Sequence, residues 1–203
     1  MINPRKTVVR FRCRIAFSVI CFGLAVFLTD REMALPCLFA AVFHECGHLL
    51  LAKRLHIPIS ELKLDLFGAR ISVSPGLISY KEEFFLAAAG PLFSFLLSFV
   101  LDCPLLVHLG IDRLCFFANL RESSLFLGIL NLIPVKGFDG ARMLSALLSS
   151  MVSPDLAEKV DRFLTGIFLI LLWGISVYLL LMTGGGLSLF VFSLGLFFKV
   201  FLS

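Results

Sequence analysis

The residues with most chemistry to offer are His44-Glu45-Cys46-Gly47-His48. Two histidines at i and i+4 share one helical face, about one turn apart, and both imidazoles can grip one Zn²⁺. Glu45, beside the first histidine, is placed to take a proton from a water that the metal has made acidic. Cys46 follows His44 by two positions and points to roughly the opposite face, so it is not counted as a ligand. A catalytic zinc takes three protein ligands and leaves one position for water. The best third candidate is Asp139, in Pro134-Val135-Lys136-Gly137-Phe138-Asp139-Gly140. Its other reading is an Asp-Gly turn residue whose carboxylate bonds local backbone. Glu61 and Asp65 are weaker candidates, and His56 and His108 read as ordinary interfacial residues.

The elements that carry these residues are set by an apolar composition. The chain has 203 residues, of which 59% are hydrophobic and 16% charged. Soluble domains average about 45–50% and about 25%. A disordered chain is excluded, and an integral helical membrane protein is the expected class. The net charge of +4 gathers near the N-terminus and implies no nucleic-acid partner. The cysteines Cys13, Cys21, Cys37, Cys46, Cys103 and Cys115 form no Cys-x-x-Cys pair and mostly sit in apolar runs. They read as small hydrophobes rather than as a disulfide framework, with Cys103 and Cys115 as the one pair on a common side.

Apolar stretches fall at Ile15–Thr29, Met33–Ala52, Phe84–Leu101, Phe163–Met182 and Leu187–Leu202. The basic first fourteen residues precede a first span rather than a cleaved signal, because no small-residue cleavage site follows. Between Arg113 and Val152 a further span is interrupted at Pro134–Gly140. Broken backbone at membrane depth is tolerated where it lines a protein cavity, so the break itself points to a site. Arg121-Glu122 is placed at the interface, with the helix beginning near Ser123. Between the second and third spans, Leu62, Leu64 and Leu66 alternate with Lys63 and Asp65. After Phe67-Gly68, Ile71 and Val73 alternate with Ser72 and Ser74. Period-two alternation around a glycine predicts a small membrane-associated β-hairpin.

The expected fold is therefore all-α, with six transmembrane helices, that hairpin after helix 2 and a broken helix 4. It forms one domain over residues 1–203, with no separate soluble domain. The Lys/Arg bias, with Arg5, Lys6, Arg10, Arg12 and Arg14 at the start and Lys53, Arg54, Lys63, Arg70 and Lys81 after the second span, places both termini in the cytoplasm. His44, His48 and Asp139 then share the cytoplasmic half of the membrane. Charged groups inside a span cost about 2.5–3.5 kcal/mol each on insertion scales, so their clustering marks function.

The same residues carry a family resemblance. His44-Glu45-Cys46-Gly47-His48 in an early span, followed by Asn131-Leu132-Ile133-Pro134 and Phe138-Asp139-Gly140, resembles the site-2 proteases, intramembrane zinc metalloproteases. Phe138 stands where the family has Leu. Ala89-Gly90-Pro91 with Ser94 is similar to the family's Gly-Pro-x-x-Asn element, with Ser in place of Asn. The resemblance covers about Leu35 to Leu147. It implies one zinc held by His44, His48 and Asp139, with Glu45 as general base and then acid. It also implies a transmembrane or membrane-tethered protein substrate, cut in or near the bilayer, and a regulatory membrane protein as a further partner. The compact layout, with neither an inserted peptide-binding domain nor a C-terminal regulatory domain, is most similar to the sporulation-type branch, whose members release a tethered transcription factor.

A transmembrane helix hides its peptide bonds, so substrate must unwind. The hairpin at Phe67 and Gly68 could add to the unwound strand, and Asn131, Gly90, Pro91 and Ser94 are candidate substrate contacts. Gly90, with Ala87-Ala88-Ala89, also reads as plain close helix packing. Two other classes compete. A non-catalytic metal-binding scaffold would need no base at Glu45. A transporter would carry polar groups along several helices, whereas the last two spans show almost none.

Overall fold

The computed structural model describes residues 12–15, 31–57, 59–65, 68–73, 78–104, 114–183 and 187–202. In chain order the elements are β1 (Arg12–Ile15), α1 (Arg31–Arg54), β2 (Ile59–Asp65), β3 (Gly68–Val73), α2 (Tyr80–Leu101), α3 (Cys115–Asn131), α4 (Asp139–Met151), α5 (Pro154–Thr183) and α6 (Leu187–Leu202). Three helical stretches among the described residues, Glu32–Arg54, Tyr80–Leu101 and Asp155–Met182, are long and apolar enough to cross a membrane. The remaining helices α3, α4 and α6 have 17, 13 and 16 residues. The described residues thus do not display six full spans. The first expected span falls outside them, apart from Ile15, which closes β1. Large apolar side chains on these helices stay open, such as Phe99 and Leu181 at 77% each. In the presence of lipid that surface carries no penalty.

α1, α2 and α3 pack on one another, α4 packs on α2 and α5, and α5 packs on α6. Local chemistry explains several helix ends. Ser79 and Glu82 form a reciprocal capping box that satisfies the start of α2. Pro36 inside α1 has no N–H for the carbonyl of Glu32, and the Asn119 side-chain amide donates to that carbonyl at 3.4 Å. α3 begins at Cys115, so Arg121 lies inside the helix rather than ahead of it. Its guanidinium reaches back to Asp102 at the end of α2, with Nη1 2.8 Å from Oδ1. The pair therefore ties α2 to α3. Cys103 and Cys115 are not joined in a disulfide.

β2 and β3, between α1 and α2, join β1 from ahead of α1 in a three-stranded sheet of order β1-β2-β3. β2 and β3 are antiparallel, with Leu62 opposite Ile71 and Leu64 opposite Ala69. β1 joins β2 in parallel, with Cys13 opposite Leu62. The pairing of β1 is a correction to the sequence reading, which started a span at Ile15. Parallel partners are distant in sequence, and local alternation carries no sign of them. Phe67 lies outside the described residues.

Residues 132–138 separate α3 from α4, as expected for a broken helix. Ile133 N–H donates to Leu130 at the end of α3, Val135 N–H to Ile133 and Phe138 N–H to Val135, while Lys136 N–H donates to the Thr165 hydroxyl of α5 at 3.1 Å. Val135 and Phe138 drive into a cluster with Leu169 of α5 and Leu196 of α6. The break is thus a packed, hydrogen-bonded segment, the form in which non-helical backbone survives in a bilayer.

Candidate metal centre

α1 delivers His44 and His48 from one face, and the first residue of α4 delivers Asp139. All three are buried. Nε2 of His44 lies 3.0 Å, and Nε2 of His48 3.1 Å, from the same Asp139 oxygen, Oδ2. The three ligand atoms lie within 4.8 Å of one another. Tetrahedral zinc with bonds of about 2.0–2.2 Å spaces its ligand atoms about 3.3 Å apart. The donor set of two imidazoles and one carboxylate therefore fits a single zinc ion in both chemistry and span.

The far side of each ring is held as well. Nδ1 of His48 donates to the backbone carbonyl of Leu86 at 2.7 Å, and Nδ1 of His44 is 2.9 Å from the hydroxyl of Ser94. A proton on each Nδ1 leaves each Nε2 lone pair directed at the shared position. Both outer partners come from α2, so three helices build the centre.

Two glycines make the approach of these helices feasible. A Cβ on Gly90 would stand 2.2 Å from His48 Nε2 and 2.5 Å from His44 Nε2. The missing side chain leaves the space beside the ligand nitrogens. A Cβ on Gly140 would stand 2.1 Å from the carbonyl oxygen of Leu132, so the break can fold back against α4 with glycine alone at that position.

The three α2 positions offered as substrate contacts lie on the helix that braces both rings. Gly90, Pro91 and Ser94 are all buried. Gly90 lies on the rings, and Ser94 stands behind His44. Asn131 is half-buried and donates to the carbonyl of Leu127 on its own helix. Gly68 opens β3. Glu45 is half-buried on α1, between the two histidines in sequence. Sequence reasoning missed the Leu86 carbonyl, which carries no side-chain signal. It also missed Arg142, whose signal was a charge one turn after Asp139 in an otherwise uncharged helix.

Residues 105–175, which include the break and Asp139, match peptidase family M50. The chain is 30% identical over 187 residues to a zinc metalloprotease of Methanocaldococcus jannaschii, covering 88% of this chain and 53% of that protein. The chain is thus similar to zinc metalloproteases and, over residues 105–175, to family M50. It is also 34% identical over 139 residues to stage IV sporulation protein FB of Bacillus subtilis, covering 66% of this chain and 46% of that one. The chain thus spans about half the length of these two curated relatives. The solved site-2 protease from Methanocaldococcus jannaschii shares the fold, with a TM-score of 0.69 over 96% of this chain and 91% of that one at 21% identity.

Proposed function

We propose that this chain is a site-2 protease, a zinc-dependent endopeptidase that cuts a transmembrane or membrane-tethered protein. The observation that carries the reading is the meeting of His44 Nε2, His48 Nε2 and Asp139 Oδ2 at one buried point, with Glu45 beside them on α1. Zinc held there supplies a Lewis acid that polarises the scissile carbonyl and makes a water more acidic. Glu45 takes the proton of the attacking water and passes it to the departing amine nitrogen. Ser94 and the Leu86 carbonyl keep the two rings oriented while charge develops. A shallow, open apolar depression lies beside Gly140, lined by Phe84, Leu132, Pro134, Met143, Leu144 and Leu164. Its chemistry suits an apolar side chain of a membrane segment. β3, an edge strand of the sheet, supports strand addition by an unwound substrate. Cytoplasmic termini, a regulatory membrane partner and a tethered transcription factor as substrate belong to the same proposal, the last supported by the similarity to the sporulation protein.

Glu45→Gln tests the reading. The variant should fold, bind one zinc per chain and lose cleavage of a co-expressed tethered substrate by about 10²-fold or more. Cleavage at the wild-type rate would remove Glu45 from the mechanism. A non-catalytic scaffold predicts zinc in both proteins and cleavage in neither. A transporter predicts no stoichiometric zinc.

A further inference from the structure

Arg142 stands one turn after Asp139 on α4, the single charged side chain in that helix besides Asp139 itself. Its guanidinium lies between two carboxylates on different helices. Nη1 is 3.8 Å from Oδ1 of Asp139, and Nη2 is 3.5 Å from Oε1 of Glu83 in the first turn of α2. The other oxygen of Asp139, Oδ2, is the one that meets the two histidines. The two oxygens of one carboxylate are thus divided between a cation on one side and the metal centre on the other.

We propose that Arg142 is a positioning residue that keeps Asp139 a one-oxygen ligand, and that Glu83 holds Arg142 in place; the inference rests on the metal reading above. A carboxylate turning about its last bond would offer either oxygen, or both, to the ion. A guanidinium beside Oδ1 makes one orientation favourable and leaves the neighbouring coordination position to water. The planar fork of arginine reaches two carboxylates at once, whereas the single ammonium of lysine serves one well. Glu83 suits the anchor role. It sits in the first turn of α2, where a negative charge is favoured by the helix dipole. The Glu83–Arg142–Asp139 chain then links the start of α2, next in sequence after the sheet, to the ligand on α4.

The test is zinc affinity, measured on the full chain in detergent after metal removal, by titration against a chromophoric chelator. Arg142→Gln should bind zinc at least about tenfold more weakly, with the melting point of the metal-free protein little changed. Glu83→Gln should lose less, and the double variant should lose no more than Arg142→Gln alone, because both act through one contact. Arg142→Lys should recover part of the loss. Wild-type zinc affinity in Arg142→Gln, or losses that multiply in the double variant, would overturn the proposal. Should Arg142→Gln fail to fold, Glu83→Gln decides: weakened zinc binding supports the proposal and wild-type binding overturns it. A wild-type chain that takes up no zinc sinks the metal reading first, and this inference with it.

Discussion

At the scale of single residues, the centre depends as much on an absent side chain as on those present. Gly90 lies against both ligand nitrogens, and neither ring can retreat, because Ser94 and the Leu86 carbonyl fix their outer edges. Gly90→Ala should therefore push the imidazoles off the shared point. We expect at least about a tenfold loss of zinc affinity and about 1–3 kcal/mol of lost stability from overpacking. Gly174→Ala on α5 is the control, since a Cβ there meets nothing within 4 Å. It should bind zinc normally and, in a helix interior, gain up to about 1 kcal/mol. Chelator competition with thermal melts reads both, and equal zinc affinity in the two variants would show that the rings have room to move. The sequence made His44, Glu45 and His48 legible because a helix converts spacing directly into a shared face. It offered Asp139 as a candidate and Gly90 as either a packing or a substrate position, whereas the place of Ser94 behind His44 depends on how α2 crosses α1.

At the scale of elements, the segment between α3 and α4 does the placing of Asp139. Its proline and glycines announced a break in the sequence, and hydropathy announced the helices on either side. The anchors were hidden, because Val135 and Phe138 find Leu169 and Leu196 about 30 to 60 positions later through tertiary packing. Phe138 is 3% exposed and directly precedes Asp139. Phe138→Ala should cost about 3–5 kcal/mol and, by loosening the segment, lower zinc content as well. Phe138→Leu restores the residue usual in the resembling family and should cost less than about 1.5 kcal/mol with zinc retained. Thermal melts and metal analysis of both variants check this. Full zinc binding by Phe138→Ala would mean that the Lys136–Thr165 bond and Val135 hold Asp139 in place by themselves.

At the scale of the whole molecule, the parts least legible in sequence are those that join distant positions without a motif, β1 beside β2 and Arg121 with Asp102. The metal centre joins positions as distant, but its ligands were marked by the histidine spacing and the break. His44 and Asp139 are 95 positions apart, and His48 and Asp139 are 91 apart. An ion held by all three closes a long loop between α1 and α4. It binds the folded chain and not the unfolded one, so occupancy becomes stability. With free zinc at about 100 times its dissociation constant, the folded state gains about 2.7 kcal/mol. Removing zinc with a chelator should lower the melting point by several degrees and leave the helical signal before the transition unchanged. The reason is that α1, α2 and α3 also bury Leu86, Ala87 and Leu120 without help from the metal. Asp139→Asn should melt near the metal-free wild type whether or not zinc is added. A melting point indifferent to chelation in the wild type would show that the three ligands meet through packing alone.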